Sequence, residues 1–393
     1  SMIFIRKERS EMNLEDCRSK IDSIDKEMVR LFCERMDAAQ NIAEYKKENN
    51  MNVYDSERER KLLDSVEENA GEKYGDYARR LYGSMLVLSR AYQSGILNPP
   101  CEISKRINAA VKETPQLFPE KAVVACQGIE GAYSLLACEK LFKKPSVMFC
   151  QTFEDVFRAV DGGLCRYGVV PLENSSAGSV NQIYSLMSEY KFSIVRSTKM
   201  QVGHCLLANK GTEKKNIREI YSHPQAISQC SEFLGSLGDG VKIIPCENTA
   251  VAAKKVADSK RNDAAALASA QCAAQYGLEV VESLVQNTAN NYTRFICFSK
   301  NTEIYPGADR TSLLIRTQHR AGALYSVIAQ FYALGINIIK LESRPIPESD
   351  FEFMFYFDIE VSVYSGVLNK IMNQLERSLG SGNVKYLGSY REA

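Results

Sequence analysis

The first long amphipathic segment of the chain carries a cation where a packed helix would carry an apolar side chain. Apolar residues recur at heptad spacing, and they are Leu14, Cys17, Ile21, Ile24, Met28, Leu31, Ala38 and Ile42. One core position of this seam holds Arg35 instead. A guanidinium stays charged at physiological pH and is costly to bury without an anion, and no acidic residue lies on the seam. The pattern therefore predicts a bound anion beside Arg35, or else an arginine whose head group extends to the helix surface.

A second cation lies further along the same predicted helix. Lys46 follows Arg35 by eleven residues. At about 100° and 1.5 Å per residue, this spacing returns Lys46 to the same face roughly 16 Å along the axis. One small dianion could therefore bridge the two side chains.

Composition excludes several classes of partner. The 393 residues carry a net charge of +1, and 25% of them are charged. We therefore expect neither nucleic acid nor an anionic membrane surface as a partner. The apolar start is too short for a signal-peptide core, and no apolar run approaches the roughly 20 residues that span a bilayer. A cytoplasmic protein is predicted.

The cysteines and histidines form no ligand pattern. No two of the twelve cysteines lie closer than twelve positions, and the three histidines are far apart. Neither a metal site nor a disulfide framework is expected.

The pattern of apolar residues divides the chain into several segments. Residues 11–97 predict three helices, and a proline-rich linker with one short helix covers 98–120. Residues 121–300 alternate short strands with helices, which favours one α/β domain or a pair of α/β lobes. Residues 309–388 predict the strand and helix order βαββαβ of ferredoxin-like folds.

Polar residues follow four predicted strands of the α/β segment. The turns contain Gly128 to Ser134, Glu173 to Gly178, His223 to Gln225, and Glu247 to Thr249. Helix N-termini that converge at strand ends form a cleft suited to a small anion. Each hydroxyl or amide could instead be a simple helix cap.

The helical segment holds a polar set suited to a hydroxylated dicarboxylate. Its members are Arg18, Arg35, Lys46, Asp55, Arg58, Glu59, Ser89 and Gln93. Arg18 precedes Arg35 by seventeen residues, roughly 25 Å along a straight helix, so both cannot reach one ligand. We expect Arg18 to serve a second pocket shared with another protomer.

These eight residues resemble the pocket of the all-helical chorismate mutase domain found in bifunctional chorismate mutase and prephenate dehydratase proteins. By this resemblance Arg18 would reach across a dimer to a substrate carboxylate that Arg35 also holds. Lys46 and Gln93 would then meet the ether oxygen. The reaction is a pericyclic rearrangement, so charge and orientation suffice for it.

The same resemblance assigns the remaining four residues of the set. Asp55 and Glu59 would orient the ring hydroxyl of the substrate. Arg58 and Ser89 would lie near its other carboxylate.

Residues 121–300 resemble the prephenate dehydratase family, which implies a two-lobed fold like that of periplasmic binding proteins. The motif Asn291, Tyr292, Thr293, Arg294 and Phe295 carries the resemblance together with Pro171 to Gly178 and Ser222 to Ala226. Thr293 is the family's catalytic threonine and would donate a hydrogen bond to the departing hydroxyl.

Further substrate contacts in the dehydratase segment are expected from Asn174, Ser175, Thr249, Asn291 and Phe295. Arg294 would anchor a carboxylate of the substrate or form a structural ion pair. Glu173 and His223 remain either supports of the cleft or ligands.

Residues 309–388 resemble an ACT domain, a regulatory module that in this family binds phenylalanine at a protomer interface. The resemblance rests on Gly322, Ala323 and Leu324, and on Glu342, Ser343 and Arg344. Tyr325 stands where the family usually has valine. These residues are expected to bind the effector, although Gly322 could be an ordinary turn and Glu342 with Arg344 an exposed pair.

The interpretation is a cofactor-independent bifunctional enzyme that makes phenylpyruvate from chorismate through prephenate, inhibited by L-phenylalanine, as a homodimer or higher oligomer. Two alternatives stay open at this point: arogenate instead of prephenate as dehydratase substrate, and a two-lobed aromatic-acid sensor without turnover. A mutase fused to a dehydrogenase would need a nucleotide-binding glycine turn after a strand, and the sequence has none.

Overall fold

The computed structural model describes residues 13–49, 51, 55–97, 100–238, 240–345 and 353–393. Residues 11–12, 50, 52–54, 98–99, 239 and 346–352, which belong to predicted segments, lie outside these ranges. The chain divides into two compact units, and each is described by itself. The first comprises Ser1–Pro100 with Leu324–Gly335, and the second comprises Cys101–Ala323 with Ile336–Ala393.

The first unit is helical, as predicted. Helix α1 spans Leu14–Glu48 and helix α2 spans Ser56–Leu97. Gly71 interrupts α2 with φ 68° and ψ 173°. Beyond this break Arg79 lies 2.8 Å from Asp64 and 2.7 Å from Glu67. The two parts of α2 therefore run back along each other, so the expected three helices are present.

The apolar seam of α1 is open to solvent within one chain. Leu14 is 63% exposed, and Ile21 and Leu31 are 55% and 50% exposed. The packing expected for this seam is therefore wrong for the single chain. Instead α1 buries its neighbouring face, with Ala39 at 6% and Ala43 at 0% exposure, and packs against α2.

The second unit begins with a docked linker helix. Helix α3 (Glu102–Glu113) forms within the predicted linker. Its Ser104 lies 3.1 Å from the side-chain oxygen of Asn373, and Asn108 lies 3.0 Å from Asn369. The linker therefore packs on the C-terminal part of its own unit.

Two sheets form two lobes in the dehydratase-like segment, as predicted. The first lobe contains β1 (Lys121–Gln127), α4 (Tyr133–Leu141), β2 (Lys144–Cys150), α5 (Phe153–Asp161), β3 (Tyr167–Asn174), β4 (Gly178–Ser179), α6 (Asn181–Glu189), β5 (Ser193–Gln201) and β11 (Tyr292–Ser299). The second contains β6 (Cys205–Ala208), β7 (Glu219–Ser222), α7 (Pro224–Gln229), α8 (Ser231–Ser236), β8 (Lys242–Pro245), α9 (Thr249–Ser259), β9 (Ala264–Ala268), α10 (Ala270–Tyr276) and β10 (Glu279–Glu282).

The C-terminal elements follow the predicted order βαββαβ. They are β12 (Arg310–Thr317), α11 (Ala323–Ala333), β13 (Asn337–Pro345), β14 (Phe353–Glu360), α12 (Val367–Leu379) and β15 (Val384–Glu392). Their strands lie in the order β13-β14-β12-β15, which is the ferredoxin-like arrangement. Residues 324–335, with most of α11, belong to the first unit.

One sheet joins the first lobe to the C-terminal strands. Its order is β13-β14-β12-β15-β5-β11-β3-β1-β2, with β4 paired to β3, whereas the second lobe has the order β10-β6-β9-β7-β8. The junction is the pairing of β15 with β5. A Cβ atom at Gly388 would lie 2.2 Å from the carbonyl oxygen of Ile194, so only glycine permits this approach.

The first lobe and the C-terminal strands also share a hydrophobic core. Phe157 and Phe298 of the lobe belong to the same buried cluster as Leu314, Tyr356 and Tyr390. The C-terminal strands are therefore packed continuously with the lobe. Among the described helices, none combines the length and the apolar character that a membrane span requires.

The break at Gly71 yields a stability prediction. Gly71 adopts a backbone conformation that is essentially restricted to glycine, so Gly71→Ala should lower the free energy of unfolding by about 1–3 kcal/mol. Apart from the adjacent backbone, no atom of the described residues lies within 4 Å of the Cβ position, so the loss would come from the backbone alone.

Gly83→Ala is the matched control, because Gly83 lies inside α2 and its Cβ position is also open. It should stabilise by about 0.5–1 kcal/mol. Urea unfolding followed by circular dichroism measures both changes. Equal effects of the two substitutions would contradict the glycine-specific turn.

Candidate functional site

The predicted mutase pocket contains a buried arginine nitrogen without a counterpart. Nη1 of Arg35 is buried and has no hydrogen-bond partner among the described residues. Arg35 and Ala39 are four residues apart on α1, on the face that packs against α2. Lys46 lies on the same helix and is half-buried. The first helix therefore carries one orphaned cationic donor and a second partly covered cation.

Two neutral side chains are buried together on α2. Ser89 is 4% exposed and Gln93 is 9% exposed. Nε2 of Gln93 donates to Oγ of Ser89 at 3.0 Å, as expected for residues four apart on a helix. Tyr92 of the same turn donates to Gln40 of α1 at 2.9 Å, which fixes this part of α2 against the helix that carries Arg35.

Asp55, Arg58 and Glu59 lie at the start of α2. Oδ1 of Asp55 accepts a hydrogen bond from the backbone of Arg58 at 3.0 Å, so Asp55 caps the helix. Asp55 and Arg58 are exposed. Glu59 forms an ion pair with Arg90, a residue that the sequence analysis missed although it adjoins Ser89. This pair links the two parts of α2.

Arg18 does not join this group within one chain. It is exposed and lies on the same continuous helix as Arg35, seventeen residues before it. The geometry therefore keeps Arg18 away from the pocket of its own chain, as the helix rise requires.

A second polar cluster forms where β11 and β3 pair in the first lobe. Thr293 lies opposite Asn174 in the register of the two antiparallel strands. Nδ2 of Asn174 donates to Oγ1 of Thr293 at 2.9 Å and to Oδ1 of Asn291 at 2.8 Å. Since Oγ1 of Thr293 accepts this bond, its own hydroxyl proton can be donated to another acceptor. All three side chains are buried, with exposures of 9% or less.

The cluster continues into the second lobe through Gln229. Oε1 of Gln229 accepts from Nδ2 of Asn291 at 3.1 Å and lies 2.9 Å from Nε2 of His204. Nε2 of Gln229 is a buried donor without a partner among the described residues, so a ligand could accept from it. Gln229 was missed, although it follows the recognised stretch Ser222 to Ala226 by only three residues.

His204 holds this glutamine. Burial lowers the pKa of His204, while the contact with Gln229 opposes that shift. The neutral ring can then donate through Nε2 to Gln229. The backbone of His204 is fixed by a hydrogen bond from its N–H to Gln286 at 2.9 Å.

Two other predicted substrate contacts lie apart from this cluster. Oγ of Ser175 donates to the carbonyl of Asn290 at 3.1 Å and accepts from the backbone of Tyr292 at 2.9 Å. Ser175 therefore connects two loops beside the cluster. Thr249 is half-buried at the first residue of α9 in the second lobe.

The structure corrects two predicted substrate contacts. Arg294 is 4% exposed and donates to Asp358 at 2.5 Å, so it forms the structural ion pair and not a substrate anchor. Consecutive strand residues point to opposite faces, which turns Arg294 away from Thr293. Phe295 is 2% exposed within the hydrophobic core of the lobe, where it cannot contact a substrate.

The predicted effector residues are divided between the two units. Gly322 has a positive φ of 79° just before α11, Ala323 is buried, and Leu324 belongs to the first unit. On β13, Glu342 pairs with Arg344, and Ser343 is exposed. Glu342 also accepts a hydrogen bond from Ser179 of the first lobe, so this strand contacts the lobe directly.

No group of three or more His, Cys, Asp or Glu side chains suited to a metal ion occurs in the described part of the chain.

Two families match the chain in the segments that hold these clusters. Chorismate mutase type II matches residues 17–94, and prephenate dehydratase matches residues 124–303. The bifunctional chorismate mutase/prephenate dehydratase of Escherichia coli is 32% identical over 391 residues, with 97% of each chain covered. The chain belongs to this bifunctional family. Its members combine the two activities in one polypeptide, as their name states.

Further similarities concern the dehydratase part. Arogenate dehydratase/prephenate dehydratase 2 of Arabidopsis thaliana is 36% identical over 279 residues, 68% of this chain and 72% of the relative. A solved prephenate dehydratase from Arthrobacter aurescens in complex with L-Phe has a TM-score of 0.63 at 23% identity, covering 68% of this chain and 90% of that one. A solved protein described as a novel type of quorum quenching acylase also has a TM-score of 0.63, at 31% identity, with 69% and 98% covered.

The burial of His204 predicts a pH dependence of stability. Its pKa in the native state is lowered below the ordinary value of 6.5, so the unfolded chain binds a proton at this residue more tightly than the native chain does. The free energy of unfolding should therefore fall as pH drops below about 6.5. Urea unfolding at pH 7 and pH 5 measures this loss.

His204→Gln is the comparison variant, and its loss of stability between pH 7 and pH 5 should be smaller than that of the wild type. A residual dependence is expected from His223, whose pKa is also lowered by burial. Identical dependence in variant and wild type would contradict the assignment to His204.

Proposed function

We propose that each activity of this bifunctional enzyme resides in its own segment of the chain. The helical segment, residues 11–97, rearranges chorismate to prephenate. The two-lobed segment, residues 121–300, converts prephenate to phenylpyruvate. The observation that carries the proposal is the buried triad of Asn174, Asn291 and Thr293. The oxygen of Thr293 accepts a hydrogen bond from Asn174, so the threonine can donate its hydroxyl proton in a reaction in which a hydroxyl departs.

The mutase site uses charge in place of acid–base groups. A pericyclic rearrangement needs the substrate held in a folded conformation and its developing charge stabilised. The orphaned Nη1 of Arg35 supports a role in holding a substrate carboxylate. Lys46 and Gln93 serve the ether oxygen, Ser89 and Arg58 the other carboxylate, and Asp55 and Glu59 the ring hydroxyl.

The mutase site also requires a second chain. The exposed apolar seam of α1 supports a homodimer, because such a stripe gains free energy when another helix covers it. In that dimer, Arg18 of one chain completes the pocket that contains Arg35 of the other. In this arrangement the exposed Arg18 binds the substrate in the pocket of the other chain, which it cannot do in its own chain.

The dehydratase reaction loses carbon dioxide and hydroxide from prephenate, and the hydroxide leaves as water after gaining a proton. Thr293 donates a hydrogen bond to the departing oxygen while Asn174 supports the threonine oxygen from behind. Nε2 of Gln229 provides a further donor for a substrate carboxylate. Thr249, at the start of α9, binds the substrate from the second lobe.

We assign prephenate, and not arogenate, as the substrate of the dehydratase. The full-length relatives with a mutase domain bear the prephenate name. The mutase of the same chain also supplies prephenate directly. Parallel assays with both substrates test this preference.

The C-terminal segment, residues 309–388, is proposed to be an ACT domain that binds L-phenylalanine and inhibits the dehydratase. Its order βαββαβ and its strand order β13-β14-β12-β15 support this proposal. The Arthrobacter relative in complex with L-Phe supports the choice of effector. The proposed effector residues of the second unit are Gly322, Ala323, Glu342, Ser343 and Arg344.

Inactivating each proposed site separately tests whether the two activities reside in different segments of the chain. Thr293→Ala should lower dehydratase kcat by about 100-fold or more and leave the mutase unchanged. Arg35→Met should lower mutase kcat by about 100- to 1000-fold and leave the dehydratase unchanged. Separate assays with chorismate and prephenate measure the two rates.

Arg30→Met is the matched control for Arg35→Met, because Arg30 is exposed on the same helix and pairs with Glu27 and Glu34. It should leave both rates near wild type. Loss of both activities in either single-site variant would refute the division. Binding of prephenate without phenylpyruvate formation in the wild type would favour a sensor over an enzyme.

Phenylalanine should inhibit the dehydratase. Millimolar L-phenylalanine should lower the rate of phenylpyruvate formation, because the C-terminal strands are packed continuously with the lobe that carries Thr293. L-Alanine at the same concentration is the control. A rate that is insensitive to L-phenylalanine would remove the regulatory proposal and leave the catalytic one standing.

A further inference from the structure

The residues next to the dehydratase cluster face the other way along the same two strands. Arg294 follows Thr293 on β11, and Glu173 precedes Asn174 on β3. The register pairs Arg294 with Glu173 just as it pairs Thr293 with Asn174. Side chains alternate across a strand, so these two charged residues lie on the face opposite the cluster.

On that face Arg294 is bound to the C-terminal strands. Nη1 donates to Asp358 of β14 at 2.5 Å, and Nη2 donates to the hydroxyl of Tyr390 of β15 at 2.6 Å. Asp358 is 0% exposed and also accepts a hydrogen bond from Ser312 of β12. One guanidinium thereby joins the catalytic strand to a polar network that spans three strands of the C-terminal sheet.

Glu173 makes a second connection beside the first. It lies 3.2 Å from Nη1 of Arg294 and pairs with Lys340 of β13. Lys340 also donates to Ser179 at 3.0 Å, and Ser179 in turn binds Glu342. The catalytic end of β3 is therefore attached to the edge strand of the C-terminal sheet.

These attachments are stiff, because neither buried partner can be released alone. A buried carboxylate such as Asp358 is strongly unfavourable without its cation, and Arg294 is equally unfavourable without its anion. A shift of β13 or β14 relative to the lobe must therefore move Arg294 and Glu173. Both are covalently adjacent to residues of the catalytic cluster.

We propose that Arg294 and Glu173 are positioning residues through which the C-terminal sheet sets the placement of Thr293 and Asn174. An effector that displaces β13 or β14 then misplaces the threonine hydroxyl. The inference rests on the proposed roles of Thr293 and of phenylalanine. It adds the route by which the two are coupled.

The test replaces the buried ion pair by apolar residues of similar size. The double variant Arg294→Met with Asp358→Leu removes both charges at once, which preserves folding in many buried pairs. Glu173→Gln is a milder second variant, because Glu173 is 28% exposed and glutamine keeps its shape. Arg261→Met, at an ion-pair network in the second lobe, is the matched control.

Four measurements are made on the full chain: the mutase rate, the dehydratase kinetics that give kcat and KM, phenylalanine binding by calorimetry, and inhibition by phenylalanine. The double variant should keep its mutase rate and its phenylalanine binding. Its dehydratase kcat should fall by about 100-fold, as expected when a catalytic group is misplaced by about 1 Å. KM should change less than threefold, and inhibition should be lost.

Glu173→Gln should show the same pattern with a fall in kcat of about 10-fold, and it decides the test if the double variant does not fold. Arg261→Met should match the wild type in all four measurements. A folded variant with wild-type kcat, or with wild-type inhibition, would overturn the proposal. A wild-type enzyme that makes no phenylpyruvate, or that ignores phenylalanine, would instead refute the proposed function.

Discussion

The pairing of β3 with β11 is the constraint on which the dehydratase half depends. Its register sets Thr293 against Asn174 and, one step along, Arg294 against Glu173. Because strand side chains alternate, one face of this pair holds neutral hydrogen-bonding groups and the other holds charges. The neutral face forms the buried cluster with Asn291, whereas the charged face is bound to the C-terminal sheet. A slip of one residue would exchange the two faces and destroy both arrangements.

The mutase half follows a different physical logic. Arg35 is partly buried without a partner for Nη1 among the described residues, which is unfavourable unless a ligand anion compensates it. Arg294 of the dehydratase half differs, because its Nη1 and Nη2 donate to Asp358 and to Tyr390 inside the protein. A solved structure similar to this chain is described as a quorum quenching acylase. A shared fold therefore does not by itself decide the chemistry of a site.

Local periodicity was enough to predict the helices of the first unit and the order βαββαβ. For residues 121–300 it left one α/β domain or a pair of lobes open, and the two-lobed fold came from the family resemblance. The resemblance to the family also predicted Asn174, Asn291 and Thr293 as site residues. The structure places Asn174 in contact with both of the others. The partner of Arg294 could not be predicted, because Asp358 lies 64 residues away in another segment. Gln229 was missed for the same reason, since it lies 62 residues before Asn291 in the chain. The exposed seam of α1 shows that periodicity predicts which face of a helix is apolar and not whether the same chain buries that face.

The most direct test is a crystal structure of the full chain with an unreactive prephenate analogue that keeps the ring hydroxyl. The account predicts that Oγ1 of Thr293 lies about 2.5–3.0 Å from that hydroxyl oxygen, with Arg294 still paired to Asp358. An analogue whose carboxylate is bound by Arg294, with the hydroxyl out of reach of Thr293, would contradict the account.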